Sequence, residues 1–332
     1  MTRAQISRIR RTLLRWYAKA KRDLPWRGSR DPYGIWLSEV MLQQTRAAAV
    51  VPYYRRFLLR FPSPRELAAA PEADVLAHWA GLGYYSRARN LRRAAQSIVE
   101  RGAFPSDYDS IRALPGAGAY TAAAVASIAF GASHAVLDGN VLRVLSRFTA
   151  ESGPVGAAST RERLRVVAQS LLDPNHPGDF NQALMELGAT LCAPGNPACT
   201  ECPLSRECLA NRSGRQREFP VKKPQKKIVE TAKLLLVIQQ SESVLFWQRP
   251  VGDKRLGGFW ELPEPAQLPD AKLSKCLGSV PHGIMRTKYV CEVWEASLTE
   301  APEGFRWLNR NLLGTMPISA MAGKALSLYP EK

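Results

Sequence analysis

The chain has 332 residues and carries 46 Lys and Arg against 29 Asp and Glu, a formal net charge of +17. At 45% hydrophobic and 23% charged residues it can build a real core, which excludes wholesale disorder, and its length suits two domains. No apolar run approaches the ~20 residues that cross a bilayer, and positive charge on this scale points to a polyanion, nucleic acid ahead of an acidic membrane surface.

At the N-terminus Arg and Lys interleave with the apolar residues, so a signal-peptide core is missing. Ile6, Ile9, Leu13, Leu14 and Tyr17 fall at helical spacing and predict an amphipathic first helix, with an Arg-rich presequence as the alternative. Asp31-Pro32 is a strong helix start, and the run from Tyr33 to Thr45 that follows is mostly apolar. Within it, Glu39 and Gln43 are four apart and share one face. A carboxylate buried there needs protonation or pairing, so Glu39 is either a satisfied ion pair or a general acid with a raised pKa.

Helix–turn–helix joints follow at Gly81-Leu82-Gly83 and at Leu114-Pro115-Gly116-Ala117-Gly118. The second joint, with Gly116 and Gly118 leading into a helix near Ala119, leaves amide donors that suit phosphate oxygens; a plain interhelical turn is the simpler reading. Asp138 comes twenty residues after Gly118, between apolar neighbours, as a helix N-cap, a working carboxylate, or both. Four cysteines, Cys192, Cys199, Cys202 and Cys208, are spaced C-x6-C-x2-C-x5-C, whereas Cys276 and Cys291 stand alone. One short and two longer gaps suit a [4Fe–4S] cluster, with structural zinc and two disulfides as alternatives.

Residues 212–233 hold eight Lys and Arg, two Glu and two prolines, with no helical stripe, and read as a basic linker. Beyond it, Leu234–Ile238, Val244–Gln248, Gly257–Pro263 and Tyr289–Trp294 have strand character, so residues 234–332 form a small α+β domain.

The hairpin with its following Asp and the cysteine loop together resemble the helix–hairpin–helix superfamily of endonuclease III. Within it, Leu24-Pro25-Trp26-Arg27, the Trp36–Thr45 run and Gly81–Asn90 resemble MutY-type adenine DNA glycosylases. The resemblance implies a mainly α-helical helix–hairpin–helix glycosylase domain over residues 1–211 with a [4Fe–4S] cluster on the four cysteines. It implies a monomeric enzyme of base excision repair, cytoplasmic and without a secretion signal. The substrate implied is double-stranded DNA carrying A:8-oxoguanine or A:G mispairs, without a membrane partner. Glu39 matches the acid that protonates adenine N7, Asp138 the carboxylate that stabilises the oxocarbenium-like sugar, and Asn140 a residue beside it. Tyr120 stands where backbone-cleaving relatives carry a lysine for Schiff-base chemistry, which implies a monofunctional, hydrolytic glycosylase. Leu24, Trp26, Arg27, Leu42, Gln182 and Met185 match the adenine pocket, and Gln44 and Tyr84 match wedges that fill the gap left by a flipped base. For Leu24, Leu42 and Met185, core packing is an equally good account.

Leu245–Arg249 and Gly258–Pro263 resemble the MutT/Nudix-like domain that checks for 8-oxoguanine, without the glutamate-rich hydrolase signature. His282-Gly283-Ile284-Met285-Arg286 stands where the damage-reading loop is typically His-x-Phe-Ser-His, with Ile284 as an apolar wedge and Arg286 as a donor to guanine or phosphate. Two other classes are a thymine or damaged-pyrimidine glycosylase on the same fold and a non-catalytic DNA-binding module. The Gln43-Gln44 helix and the extra domain argue against the first, and the pair Glu39 and Asp138 against the second.

Overall fold

The computed structural model describes residues 1–223, 229–253, 256–284 and 286–329, the side chain of Ile284 excepted. Its helices, in chain order, are α1 (Arg3–Ala20), α2 (Pro32–Leu42), α3 (Ala47–Arg60), α4 (Pro64–Ala69), α5 (Glu72–Trp79), α6 (Ser86–Arg101) and α7 (Tyr108–Arg112). They continue as α8 (Ala119–Phe130), α9 (Gly139–Thr149), α10 (Ala158–Leu171), α11 (Pro177–Thr190), α12 (Leu209–Arg212) and α13 (Ala320–Leu326). The strands are β1 (Val229–Gln240), β2 (Ser243–Gln248), β3 (Trp260–Glu261), β4 (Lys272–Ile284), β5 (Thr287–Ser297) and β6 (Phe305–Asn309). Contacts group the chain into two units: Met1–Arg55 with Ser97–Pro224, and Arg56–Gln96 with Gln225–Lys332. Among the described residues no helix is long and apolar enough to cross a membrane.

The first unit is helical because its apolar residues recur at helical spacing and its starts are capped. Thr2 caps α1 with a reciprocal bond to Gln5, and Ile9, Leu13 and Tyr17 form its buried stripe. The Asp31 carboxylate accepts from the Tyr33 and Gly34 amides, with Pro32 at the first helical position. From Tyr33 to Met41 every residue of α2 is buried, which fits a helix that is apolar on all sides. Its Trp36, 1% exposed, is worth about 2–3 kcal/mol of burial. The small side chains of α8, Ala122 to Ala126, let α2 lie close against it.

A second close approach sets the position of α9. Gly188 of α11 faces α9 so tightly that an added Cβ would sit 2.6 Å from Asn140 Cβ and 3.0 Å from the Asn140 carbonyl. Gly178 likewise lies against the backbone of Ser127 and Ile128 in α8. Glycine is therefore required where α11 crosses its neighbours.

In the second unit, β1 pairs with β2 antiparallel and with β5 in parallel, β5 pairs antiparallel with β4, and β3 and β6 extend β2. β1 begins at Val229, inside the stretch expected to be linker, because its first residues pair with Thr287 to Cys291 of β5. Arg212 ends α12 and Gln216–Glu218 forms a 3-10 turn, so part of that stretch is ordered helical structure. The expected strand at 257–263 shrinks to Trp260–Glu261, whereas Leu234–Ile238, Val244–Gln248 and Tyr289–Trp294 all lie within longer strands. Helix α13 packs against β3 and β4, and Met321, Ala322 and Ala325 join the core beside Val237 and Phe246. In the helical part of this unit, Phe57 packs on Phe61 and Trp79, and the Tyr85 ring lies 4.1 Å from that of Phe259.

Gly188→Ala should lower stability by about 1–3 kcal/mol through overpacking against Asn140. A melting curve unchanged from that of the parent protein would show that α9 and α11 can part at no cost.

Candidate active site

One cleft in the first unit gathers nearly every residue singled out from its part of the sequence. Its volume is about 1100 Å³, and Leu24, Trp26, Arg27, Glu39, Leu42 and Gln44 line it from the N-terminal side. Gly116, Gly118, Tyr120, Asp138, Asn140, Gln182 and Met185 complete it. That is slightly above the ~300–1,000 Å³ of pockets that take a drug-sized ligand.

Helix α2 delivers Glu39 into the cleft while keeping it only 4% exposed. Burial pushes its carboxyl up to about 7; the Tyr120 hydrogen bond and Arg27 pull it down, and Asp138 pushes it up. The Tyr120 hydroxyl donates to Glu39 Oε2 at 2.5 Å, and burial followed by the Glu39 charge raises the tyrosine well above its ordinary value. Tyr120 is thus a fixed hydrogen-bond donor. Beside it the Gln43 amide donates to Thr121 Oγ1 at 3.1 Å, tying α2 to α8.

Asp138 does two jobs from one position. Its Oδ1 accepts from the Val141 amide at 2.7 Å and so caps α9, while its Oδ2 accepts from Asn140 Nδ2 at 3.0 Å. Burial raises its pKa, and the Val141 and Asn140 hydrogen bonds oppose that rise. Both sequence readings, cap and functional carboxylate, fit the same geometry.

Asn140 is itself held. Arg143 Nη2 donates to Asn140 Oδ1 at 2.8 Å and to the Gly188 carbonyl at 2.6 Å, and its Nε donates to the Cys192 carbonyl at 2.8 Å. A continuous line of hydrogen bonds therefore runs from the first cysteine through Arg143 and Asn140 to Asp138. The position of Arg143, one turn into α9, was the only sequence signal for it.

The four cysteines are half-buried on the loop that follows α11. Burial pushes the Cys202 thiol up to about 12; a backbone hydrogen bond from Leu204 opposes that rise, and Cys192, Cys208 and Cys199 add to it. Buried Arg147 donates to Cys192 Sγ at 3.3 Å and to the Ala193 carbonyl at 2.8 Å, and its Nε reaches the Gln216 and Phe219 carbonyls. Among the described residues, no three His, Cys, Asp or Glu side chains form a site for a single metal ion.

Sequence reasoning missed Glu186 and Arg22. Glu186 on α11 is 1% exposed and accepts from Arg22 Nε at 2.7 Å, Arg22 Nη2 at 2.8 Å, the Arg22 amide at 3.1 Å and Arg27 Nη2 at 2.5 Å. Burial works to raise its carboxyl, and the two arginines overcome it, holding the group down at about 2. An acid next to the pocket residue Met185 was the available signal.

The two expected wedges both occupy left-handed backbone, Gln44 at φ +59° and Tyr84 at φ +50°. That conformation is uncommon outside glycine and concentrates at functional sites. Tyr84, in the second unit, is 48% exposed, with the Arg87 guanidinium 5.4 Å from its ring. Arg286 sits on an exposed turn, its carbonyl accepting from the Val229 amide. The Ile284 side chain and Met285 lie outside the described residues.

Residues 37–169 match the HhH-GPD superfamily base excision DNA repair protein family. The chain is 30% identical, with a TM-score of 0.58 over 63% of its length and 98% of the other, to a thermostable thymine-DNA glycosylase. It shares its fold with endonuclease III in a non-covalent DNA complex, at a TM-score of 0.54 and 22% identity over 64% of this chain and 98% of that one. A helix–hairpin–helix base excision repair glycosylase is therefore the class. Human adenine DNA glycosylase is 33% identical over 98% of this chain and 74% of its own length, and that of Buchnera aphidicola (Acyrthosiphon pisum) is 36% identical over 71% and 67%. The chain belongs to the adenine DNA glycosylase family.

Arg143→Ala should leave the fold intact but release Asn140 and Asp138, lowering single-turnover excision roughly 10- to 100-fold, since misplacing a reacting group by an ångström has that effect. A rate within twofold of the parent would show that the Val141 amide alone orients Asp138.

Proposed function

We propose that this enzyme hydrolyses the N-glycosidic bond of adenine mispaired with 8-oxoguanine or guanine in duplex DNA. The observation that carries the proposal is Glu39: a buried carboxyl, raised to about 7 and bonded to Tyr120, in the same cleft as Asp138. Breaking the bond requires a proton on the departing base and negative charge near C1′ of the sugar. Glu39, half protonated near neutral pH, donates the proton to adenine and, once ionised, draws the proton from an incoming water. Asp138 faces the sugar as its cationic character develops. Asn140 fixes Asp138, and Trp26, Arg27, Leu42, Gln182 and Met185 wall the extrahelical base. Tyr120 offers no amine for an imine, so the reaction ends at the abasic site.

The base enters only after leaving the stack, and Gln44 and Tyr84 fill the space it vacates. The amides at the Gly116–Gly118 turn bind the DNA backbone, with the overall positive charge supplying affinity independent of sequence. In residues 234–332, a MutT/Nudix-like sheet domain by its sequence, Arg286 contacts the opposite base or its phosphate. A monomer acting on DNA, away from membranes and in the cytoplasm, fits this reading.

The four cysteines, half-buried on one loop and spaced with one short and two longer gaps, suit a [4Fe–4S] cluster better than a single zinc. When bound, the cluster supplies iron–thiolate bonds that cross-link the loop. The chain's own contribution is Arg147 and Arg143, which tie that loop to α9.

Single-turnover excision from duplexes containing A:8-oxoguanine, A:G, A:C, T:G and A:T tests the substrate; cleavage of thymine from T:G in preference to adenine would overturn it. Glu39→Gln should reduce adenine excision by at least 10²-fold while duplex affinity stays within a few-fold, since the amide cannot supply a proton. Anaerobically purified protein should hold about four iron atoms per chain, and Cys199→Ser should remove both the iron and the brown absorbance. Stoichiometric zinc would refute the cluster.

A further inference from the structure

Outside the pair Glu39 and Asp138, the cleft wall holds one more buried carboxylate, and the proposed chemistry does not use it. Glu186 has no exposed side-chain surface and takes four hydrogen bonds from two arginines. Arg22 is half exposed, whereas the Arg27 side chain is only 11% exposed. Arg27 Nη1 donates to the Arg22 carbonyl at 2.9 Å, and its guanidinium lies 5.5 Å from the centre of the Tyr17 ring. Together these contacts hold Arg27 in place at the cleft wall.

We propose that Glu186 is a positioning residue that clamps Arg27 at the cleft wall and offsets its charge, which favours the protonated form of Glu39. The proposal rests on Glu39 being the proton donor. Ionisable groups reach Glu39 from three elements: Tyr120 of α8, Asp138 at the start of α9, and Arg27 between α1 and α2. Of these only Arg27 carries positive charge, and it favours the ionised carboxylate. Glu186 of α11 is its direct counter-ion, Arg22 shares that counter-ion, and Tyr17 of α1 lies behind it. An unpaired cation at Arg27 would favour the ionised form of Glu39 and so reduce the share of enzyme able to donate a proton.

The sign of the effect follows. Excision needs protonated Glu39, so its rate falls as pH rises through the Glu39 pKa. Glu186→Gln removes the negative charge and leaves Arg27 uncompensated, which lowers that pKa and moves the alkaline fall to lower pH.

Single-turnover excision of adenine from A:G duplexes, measured across pH 5.5 to 9, reads this directly. Glu186→Gln should move the alkaline limb down by about one pH unit. Glu186→Asp keeps the charge and guards against misfolding; it should hold the limb near its original place while slowing the plateau. Adding Arg27→Met to Glu186→Gln should return the limb toward that of the parent. A Glu186→Gln profile lowered equally at every pH would mean a merely structural role and overturn the proposal, as would a Glu186→Asp limb displaced as far as that of Glu186→Gln. Near-normal excision by Glu39→Gln is a separate failure, since it removes the proton-donor reading itself whatever Glu186 does.

Discussion

The fold is organised around keeping one carboxyl group dry. Glu39 can hold a proton near neutral pH only if water is excluded from it, and a single exposed face on α2 would undo that. Hence α2 is buried from Tyr33 to Met41, flanked by the alanine-rich face of α8 and sealed at its start by Asp31 and Pro32. Tyr120, carried in on the first turn of α8, supplies a strong hydrogen bond to the desolvated carboxyl. The two glycines before it permit that entry: Gly116 takes a left-handed conformation at φ +77°, and Gly118 starts the helix without a side chain in the way.

The rest of the cleft repeats the pattern of polar groups held by other polar groups. Asp138 is fixed by the Val141 amide and by Asn140, Asn140 by Arg143, and Arg143 by three backbone carbonyls, of Gly139, Gly188 and Cys192. In a low-dielectric wall such a chain is worthwhile only when complete, because one unpaired member costs more than the rest contribute. The cysteine loop thereby belongs to the same mechanical unit as the carboxylate, with Arg147 binding it to the segment that leaves the first unit.

Much of this was legible in the residues. The Asp31-Pro32 start, the Gly116–Gly118 turn and the capping place of Asp138 are local signals, and each appears where sequence chemistry puts it. The apolar run of α2 announced a buried helix, and with it the peculiarity of Glu39. What was not legible depends on contacts between residues far apart in the chain. Arg22, Arg27 and Glu186 meet across more than 150 residues, and no spacing rule connects them. Strand β4 carries Gly278 and Pro281 and breaks register twice against β5, so it lacks the alternation that marks a strand. The first residues of β1 were hidden by their charge, since Glu230 and Lys233 read as linker until β5 pairs with them.

The ring contact between Tyr85 and Phe259 bears on the order in which the molecule assembles. Tyr85 is covered by a residue from the C-terminal third of the chain, and Arg89 bonds the carbonyl of Gly257 beside it. The parallel pairing of β1 with β5 is similarly remote. A chain emerging from the ribosome therefore carries residues 56–96 without the Gly257 and Phe259 contacts until its last third has been made. Contacts of such long sequence separation form late, so this helical segment waits for the last third of the chain before it is complete.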